Sequence, residues 1–443
     1  MGMTIEDGAK IGVIGGGPAG SMFAYFLLTF ADRVGLNVNV DVYEPRDFTK
    51  PGPGGCNMCG GIVSESLVQA LATEGIVLPT TVVQRGIDSY ILHTAEKSVR
   101  IDTPNHEKKI AAVHRGGGPR DLDQVKWGGI DGYLLGLAKG LGARVIPAKV
   151  GEVGWSDGRP QITIKGEATT YDLLVGATGV NSTGWALFES LGLKSKKPET
   201  AKTYITELKL GSEAISQSLG NSMHVFLINL PGVDCAAIIP KGDFATVCLL
   251  GNKIDNEVID NFFEMEAVKR CFPGGWTLEQ GACHCAPKIN VVEASRPFMD
   301  RLVLVGDCGA TRLYKDGIGA AYRTSKAAAL TAVFHGVSAK DFQKHYLPTH
   351  NSIAGDNRYG KVIFLVVHII KVVKPLVRGV TGMVSDEQKR SNAVKRMSSV
   401  LWDTFTGSAP YRDVFLRTLD PRFLTMLTWE SILSVGRSGA RKG

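Results

Sequence analysis

Six residues constrain the fold of this chain more than any others. Gly15-Gly16-Gly17-Pro18-Ala19-Gly20 satisfy G-x-G-x-x-G between a short apolar run, KIGVIG at 10–15, and a longer one, PAGSMFAYFLLTFA at 18–31. In a strand–turn–helix setting the first glycine allows the tight turn. The second lets the backbone approach a pyrophosphate, and the third lets helix and strand pack closely. The helix N-terminus then directs amides and a partial positive charge at the phosphates. Alone the pattern is weak, and a chance glycine turn reads the same way. Context strengthens it: VNVDVYE alternates Val38, Val40 and Val42 with polar residues and ends at Glu44, 24 residues after Gly20. A carboxylate in that place accepts hydrogen bonds from ribose hydroxyls. The unit predicts the first half of a nucleotide-binding parallel sheet and a dinucleotide ligand.

The rest of the chain alternates between two textures. Residues 49–61 form a glycine- and proline-rich loop longer than an ordinary connection, a length that suggests function, before a short helix at 64–73. Residues 82–113 read as strands, 130–142 as an amphipathic helix ending at glycine, and 160–179 as a hairpin running into YDLLVGATG. Between 200 and 290, TYITELKL, HVFLINL, CAAIIP and FATVCLLG are strand-like, as in a second, sheet-rich domain. RLVLVG at 301–306 returns to a buried parallel strand, followed by a helix over 317–335, and 338–443 read as helical.

Which dinucleotide is bound is indicated downstream. Gly306-Asp307, followed by Gly317-Ile318-Gly319-Ala320-Ala321 at the start of an alanine-rich helix, resembles the second FAD fingerprint of the glutathione-reductase and para-hydroxybenzoate-hydroxylase-like flavoproteins. The resemblance implies that Asp307 binds the ribityl chain and that the helix faces the pyrimidine end of the flavin. A helix dipole there stabilises the negative charge of reduced flavin; the plainer reading makes Asp307 a helix cap. No second G-x-G-x-x-G lies between strand and helix, so no dedicated NAD(P)H domain is expected. Electrons then come from a protein carrier, a quinol or a visiting NAD(P)H.

In order along the chain, VIGGGPAG, VYEP, CNMCGGIVS, IDGYLLGLAKGLGARV, YDLLVGATGVNS, IIPKGDFATVCLLG and GDCGATRLYKDGIGAA resemble the geranylgeranyl-reductase-like flavoproteins over residues 10–335. The C-x-x-C-G-G loop is the narrowest signal. The resemblance implies an α/β fold: a discontinuous Rossmann-like FAD-binding domain (1–80, 100–185 and 295–337), an inserted sheet-rich α+β substrate domain (81–99 and 186–294) and a helical C-terminal region (338–443). It implies reduction of carbon–carbon double bonds in a hydrophobic, isoprenoid or quinone-like substrate. The cofactor-contacting set it suggests is Gly15, Gly17, Pro18, Ala19, Gly20, Glu44, Pro45, Arg46, Cys59, Gly60, Arg120, Gly179, Gly306, Asp307, Gly317, Ile318 and Gly319. Three departures stand out. The family's Y-x-W-x-F-P aligns with Cys235-Ala236-Ala237-Ile238-Ile239-Pro240, which implies a differently shaped cavity. Thr178 replaces an aspartate, and Trp127 stands where an arginine is usual, leaving Arg115, Arg120 or Lys126 to neutralise phosphate.

Alkene reduction needs a hydride for one carbon and a proton for the other. Cys59, with Cys56 as the second choice, lies on the loop that the resemblance brings near the flavin, and a thiol of ordinary pKa about 8.5 holds its proton at neutral pH. Other readings stay open: a Cys56–Cys59 redox disulfide, a zinc or iron–sulfur site shared with Cys283 and Cys285, or inert thiols. No metal is assigned. His93, His114 and His284 show no catalytic spacing and read as structural, whereas Lys315 and Asp316 suit contacts at the flavin edge. An FAD monooxygenase of the same architecture and an electron-transfer flavoprotein using the C-x-x-C dithiol are the alternative functions; a halogenase's tryptophan-rich motif is not apparent.

Eight cysteines in 443 residues do not form a secreted disulfide framework, and the N-terminus lacks a basic, apolar leader, so a cytoplasmic protein is expected. The net charge of +7 comes without a nucleic-acid-binding motif, so no nucleic acid is expected. KVIFLVVHIIKVVKPL at 361–376 is apolar, yet Lys371, Lys374 and Pro375 interrupt it well short of the roughly 20 residues of a spanning helix. It reads either as a core helix or as an interfacial helix with lysines reaching to lipid phosphates, which would hold the protein peripherally on the inner face of the cell membrane.

Overall fold

The computed structural model describes residues 3–52, 54–57, 59–103, 109–120, 122, 128–251, 253–278, 283–390 and 394–439, with side chains to 433. Lys126, weighed for phosphate neutralisation, and Trp127, which stands where an arginine is usual, lie outside the described residues.

The chain divides into two compact units. One comprises Met1–Asn57, His114–Ala201 and Lys288–Gly355; the other comprises Met58–Val113, Lys202–Pro287 and Asp356–Gly443. The expected partition differs at residues 58–80 and 100–113, which belong to the sheet-rich unit, at 186–201 and 288–294, which belong to the first, and in the C-terminal region. The C-x-x-C loop changes unit between Asn57 and Met58, and the C-terminal helices from Asp356 onward belong to the sheet-rich unit rather than forming a body of their own.

The first unit is built on a six-stranded sheet in the order Phe298–Met299, Leu302–Leu304, Leu173–Gly176, Lys10–Ile14, Asn39–Tyr43, Arg144–Ile146. All neighbours are parallel except the first pair. Four consecutive buried residues in Ile11–Ile14, Val40–Tyr43 and Leu173–Gly176 fit strands covered on both faces. Lys10–Ile14 lies between Asn39–Tyr43 and Leu173–Gly176, so the chain reverses its order of strand addition there. Open α/β sheets bind ligands outside the carboxyl ends of the strands at such a switch point. Helices Pro18–Arg33 and Gly317–Phe334 pack on each other beside it.

The second unit contains a sheet in the order His284–Cys285, Glu199–Lys209, Phe244–Gly251, Val233–Lys241, Ser222–Leu227, Ser89–Thr94, Ser98–Asp102. It is antiparallel along this path except where Ser222–Leu227 meets Ser89–Thr94 in parallel. Phe226, Val247, Leu249, Phe262 and Cys271 are among the residues of its core. The C-terminal helices are anchored to this unit by particular side chains. Trp402 is fully buried and stacks on Tyr90 with ring centroids 5.5 Å apart, and Arg378 Nε donates to Glu96 Oε2 at 2.7 Å. A buried tryptophan of this kind stabilises the folded state by about 3–5 kcal/mol relative to alanine.

Candidate functional site

In the first unit the glycine turn has the three properties its sequence calls for. Gly15 adopts φ +109°, and a Cβ there would collide with the Ala177 carbonyl oxygen. A Cβ on Gly20 would collide with the carbonyl oxygen of Gly15. Gly17 differs, because nothing lies within 4 Å of the place its Cβ would take. This glycine caps the helix in extended conformation, with no side chain closing the helix end. Pro18 at the first helical position and buried Ala19 continue the helix. The turn therefore presents an open, uncapped helix N-terminus of the shape that accepts a pyrophosphate.

Glu44 sits at the end of the next strand and is buried. Its Oε2 accepts from the Gly16 amide and its Oε1 from the Arg46 amide, both at 2.9 Å. Burial raises its pKa, against the pull of those two amides and of the Arg46 charge. Pro45 and Arg46 are exposed beside it.

The distant segment meets the turn directly. Gly306 has φ +67°, and a Cβ on it would stand 2.6 Å from Ala19 Cβ. Ser325 Oγ donates to the Ala19 carbonyl at 2.7 Å, and Thr324 Oγ1 accepts from the Gly306 amide at 3.0 Å. Two sequence regions nearly 300 residues apart thus share one cradle.

Asp307 follows in the short 3₁₀ turn Gly306–Cys308, its carbonyl accepting from Asn290 Nδ2 at 2.8 Å. Burial raises its pKa, while the Arg115 charge and a Thr311 hydrogen bond lower it. Its Oδ1 lies 3.8 Å from where a Gly317 Cβ would stand, at the start of the helix Gly317–Phe334. Asp316, the N-cap of that helix, is left-handed at φ +52° and does not cap it with its side chain. Its carboxylate instead accepts from Arg312 at 2.9 Å and Arg323 at 3.3 Å. Ile318 is buried, and a Gly319 side chain would strike the Asp316 carboxylate. Tyr314 is also left-handed, at φ +60°. Non-glycine residues in that region store strain and cluster at ligand clamps.

Of the arginines weighed, Arg115 is the one tied into this neighbourhood. Its Nε donates to buried Asp131 at 2.5 Å, and Asp131 also accepts from the Gly116 amide at 3.0 Å. Arg120 is exposed, its Cα 3.6 Å from where a Gly52 Cβ would stand. Gly179, at φ +64°, follows the Leu173–Gly176 strand and faces open space.

Cys59 and Gly60 fall in the second unit, Cys56 in the first, and all three positions are part-exposed. Both cysteines are free thiols. Beneath Cys59 lies a polar cluster that sequence reading missed. Lys241, fully buried, donates to the Cys59 carbonyl at 3.1 Å and to Glu207 Oε1 at 3.4 Å. Glu207 Oε2 accepts from Thr246 at 2.6 Å. A Cβ on Gly60 would touch Cys248 Sγ at 3.5 Å. The Cys285 thiol is pushed up to about 12, first by burial and then by Cys283, Cys59 and Glu207. Lys241 and Glu207 are on antiparallel strands whose pairing with Phe244–Gly251 fixes their register. The one sequence signal was a lysine and a glutamate inside otherwise apolar strands, at positions where charge is rarely buried unpaired.

No family model and no curated protein match this sequence. Solved structures do. The chain is similar to a geranylgeranyl bacteriochlorophyll reductase-like protein from Thermoplasma acidophilum (TM-score 0.63, 15% identity, covering 96% of this chain and 98% of that one). It is also similar to a flavoprotein/dehydrogenase from Cytophaga hutchinsonii (TM-score 0.61, 14% identity, 97% and 100%). A third similar structure is p-nitrophenol 4-monooxygenase from Pseudomonas putida (TM-score 0.54, 14% identity, 96% and 99%). The chain has the fold of the para-hydroxybenzoate-hydroxylase-like flavoproteins, a fold common to geranylgeranyl-reductase-like proteins and to flavin-dependent monooxygenases.

Proposed function

We propose that the protein is an FAD-dependent oxidoreductase that reduces carbon–carbon double bonds of a hydrophobic, isoprenoid-type substrate. The observation that carries the cofactor assignment is the meeting of Gly306 with Ala19, which joins the glycine turn and the Asp307 segment in one cradle. In this reading the amides at Gly17–Gly20 bind the pyrophosphate, Glu44 takes the adenosine ribose, Arg115 supplies positive charge, and Asp307 binds the ribityl chain. When bound, the flavin supplies the hydride.

The chain supplies the proton. Cys59 is the donor, its backbone held by Lys241; Cys285, whose thiol keeps its proton across the physiological range, is the residue next to it. Smaller walls at Cys235, Ala237 and Ile239, where the family carries aromatics, suit a bulky apolar chain. The helix Leu347–Val372 supports collection of such a substrate from a membrane. Val362, Leu365, Val366, Ile369, Val372 and Val373 lie exposed along it or at its end, at the spacing of one helical face.

A monooxygenase is the second reading, favoured by the similarity to p-nitrophenol 4-monooxygenase. The test is anaerobic reoxidation of the reduced protein by polyprenyl lipids and quinones, compared with reoxidation by dioxygen. Alkene-dependent reoxidation that Cys59→Ala slows supports the reductase. Faster reoxidation by oxygen than by any alkene, coupled to NAD(P)H consumption, transfers the assignment to the monooxygenase.

A further inference from the structure

The sheet-rich unit holds a second cluster with no part in the proposed reaction. Among the described residues, His93, His224 and Cys271 are the one group of three His, Cys, Asp or Glu side chains whose ligand atoms all lie within 4.8 Å of one another. His93 is on the strand Ser89–Thr94 and His224 on Ser222–Leu227, and the parallel register sets His93 opposite Phe226. His224 and Phe226 are two apart on their strand, so both histidines and Phe226 share one face. Cys271 follows the short helix Glu266–Lys269. His224 Nδ1 is 2.9 Å from His93 Nε2 and 3.1 Å from Cys271 Sγ. All three residues are less than 7% exposed, in a core of Phe226, Phe262 and Val247.

Proton accounting makes this arrangement unusual. His93 Nδ1 is 2.8 Å from Ser98 Oγ, and His224 Nε2 is buried with no hydrogen-bond partner among the described residues. With the His93 proton on Nδ1 and the His224 proton on Nε2, the inner nitrogens of both rings are lone pairs that face one another beside a thiol. Metal-ligating histidines show the pattern seen at His93, the outer N–H held by a hydroxyl and the inner nitrogen turned to the ion.

We propose that His93, His224 and Cys271 form a binding site for one thiophilic metal ion, with copper(I) the favoured occupant. Two imidazoles and a thiolate match soft-to-borderline metals. Three buried ligands suit trigonal copper(I), and a copper(I) thiolate is electrically neutral in this apolar core. Zinc prefers a fourth ligand and leaves a net positive charge. Binding forms the copper–sulfur and two copper–nitrogen bonds, releases the Cys271 proton to solvent, and changes no oxidation state. Metal–nitrogen bonds of about 2.0 Å and metal–sulfur bonds of about 2.3 Å require the donors to spread by roughly 0.6 Å.

The test uses full-length protein stripped of metal with a chelator, titrated anaerobically with copper(I) against bicinchoninate and, separately, with cobalt(II) as a zinc probe. We expect the wild type to withhold one equivalent of copper(I). Cys271→Ala loses that equivalent, Ser98→Ala weakens it about tenfold, and a Cys56→Ser/Cys59→Ser variant keeps it. A cobalt thiolate absorption that disappears in Cys271→Ala supports the same three ligands with zinc as occupant. Failure of the wild type to hold either ion, or binding that survives Cys271→Ala, overturns the site. The wild-type result stands alone even if Cys271→Ala does not fold, and neither outcome bears on the flavin assignment.

Discussion

Glycine does two different jobs within one turn, and single substitutions separate them. At Gly20 a methyl group would meet the Gly15 carbonyl, and neither backbone segment can retreat without breaking the strand-to-helix junction. Gly20→Ala should therefore cost about 1–3 kcal/mol, read as a lower thermal midpoint. At Gly17 a methyl group meets no protein atom within 4 Å, so Gly17→Ala should stay within about 0.5 kcal/mol of wild type. The same methyl group would occupy the space proposed for the pyrophosphate, so FAD affinity should fall at least about tenfold, equivalent to roughly 1.4 kcal/mol, in a flavin-fluorescence titration. Equal FAD affinity in Gly17→Ala and wild type would remove the phosphate from that position. Lys241 poses the opposite problem, because its ammonium is fully buried against Glu207. Lys241→Met leaves that carboxylate without its cation and should destabilise the fold by about 3–5 kcal/mol. Lys241→Met/Glu207→Gln should recover a good part of this in denaturant melts. If the double variant is no more stable than the single, the pair is not coupled in the way its geometry indicates.

At the level of elements, the sequence was most legible where periodicity and glycine chemistry coincide. The helix read over 18–31 forms as Pro18–Arg33, the strand ending at Glu44 as Asn39–Tyr43, and the helix read over 317–335 as Gly317–Phe334. Each is specified by neighbouring residues. What the sequence hid is specified by distant ones. Glu207 and Lys241 meet through antiparallel registers, and His93 meets His224 across 131 residues through a parallel one. No spacing rule reaches that far, which is why His93 read as merely structural. His350 belongs to the same class. It is buried in the helix Leu347–Val372, and burial lowers its pKa from the ordinary 6.5, outweighing Asn351, the Glu293 charge and the Gly309 backbone. The unfolded chain takes up a proton near pH 6.5 while the folded helix resists it. The contribution of His350 is therefore intact above about pH 6.5 and declines as the pH falls below it, with a slope of at most about 1.4 kcal/mol per pH unit. Denaturant melts between pH 7.5 and 5 should show this decline, and His350→Gln should make it shallower. An unchanged slope in the variant would assign the acid sensitivity to other groups.

For the molecule as a whole, the apolar segment 361–376 raises the question of where the protein works. No described helix is long and apolar enough to cross a membrane. The expectation of a core helix accounts for only one side of the segment, where Ile363 and Val367 are buried. The expectation that its lysines reach out to lipid needs correcting at Lys371, which is buried and donates to the carbonyls of Val233 and Asp234 at 2.9 Å each. That lysine ties the helix to the start of the interior strand Val233–Lys241, and the outward face carries Val362, Leu365, Val366, Ile369, Val372 and Val373 with His368 among them and exposed Lys361 and Lys374 at its two ends. An apolar stripe bounded by cations is the pattern of a helix lying in a membrane interface. Each aliphatic side chain moved from water into lipid contributes about 1.5–3 kcal/mol when fully buried, so several acting together can hold the protein on a surface against its solubility. Wild-type protein should therefore co-sediment with phosphatidylglycerol-containing vesicles and less with neutral ones. Leu365→Glu/Ile369→Glu should lower the bound fraction at least about tenfold, the equivalent of roughly 1.4 kcal/mol, with no loss of thermal stability, because both side chains are already in water. If the double variant still binds vesicles as the wild type does, or if the wild type ignores them, the exposed stripe serves something other than a lipid surface and the substrate reaches the protein from solution.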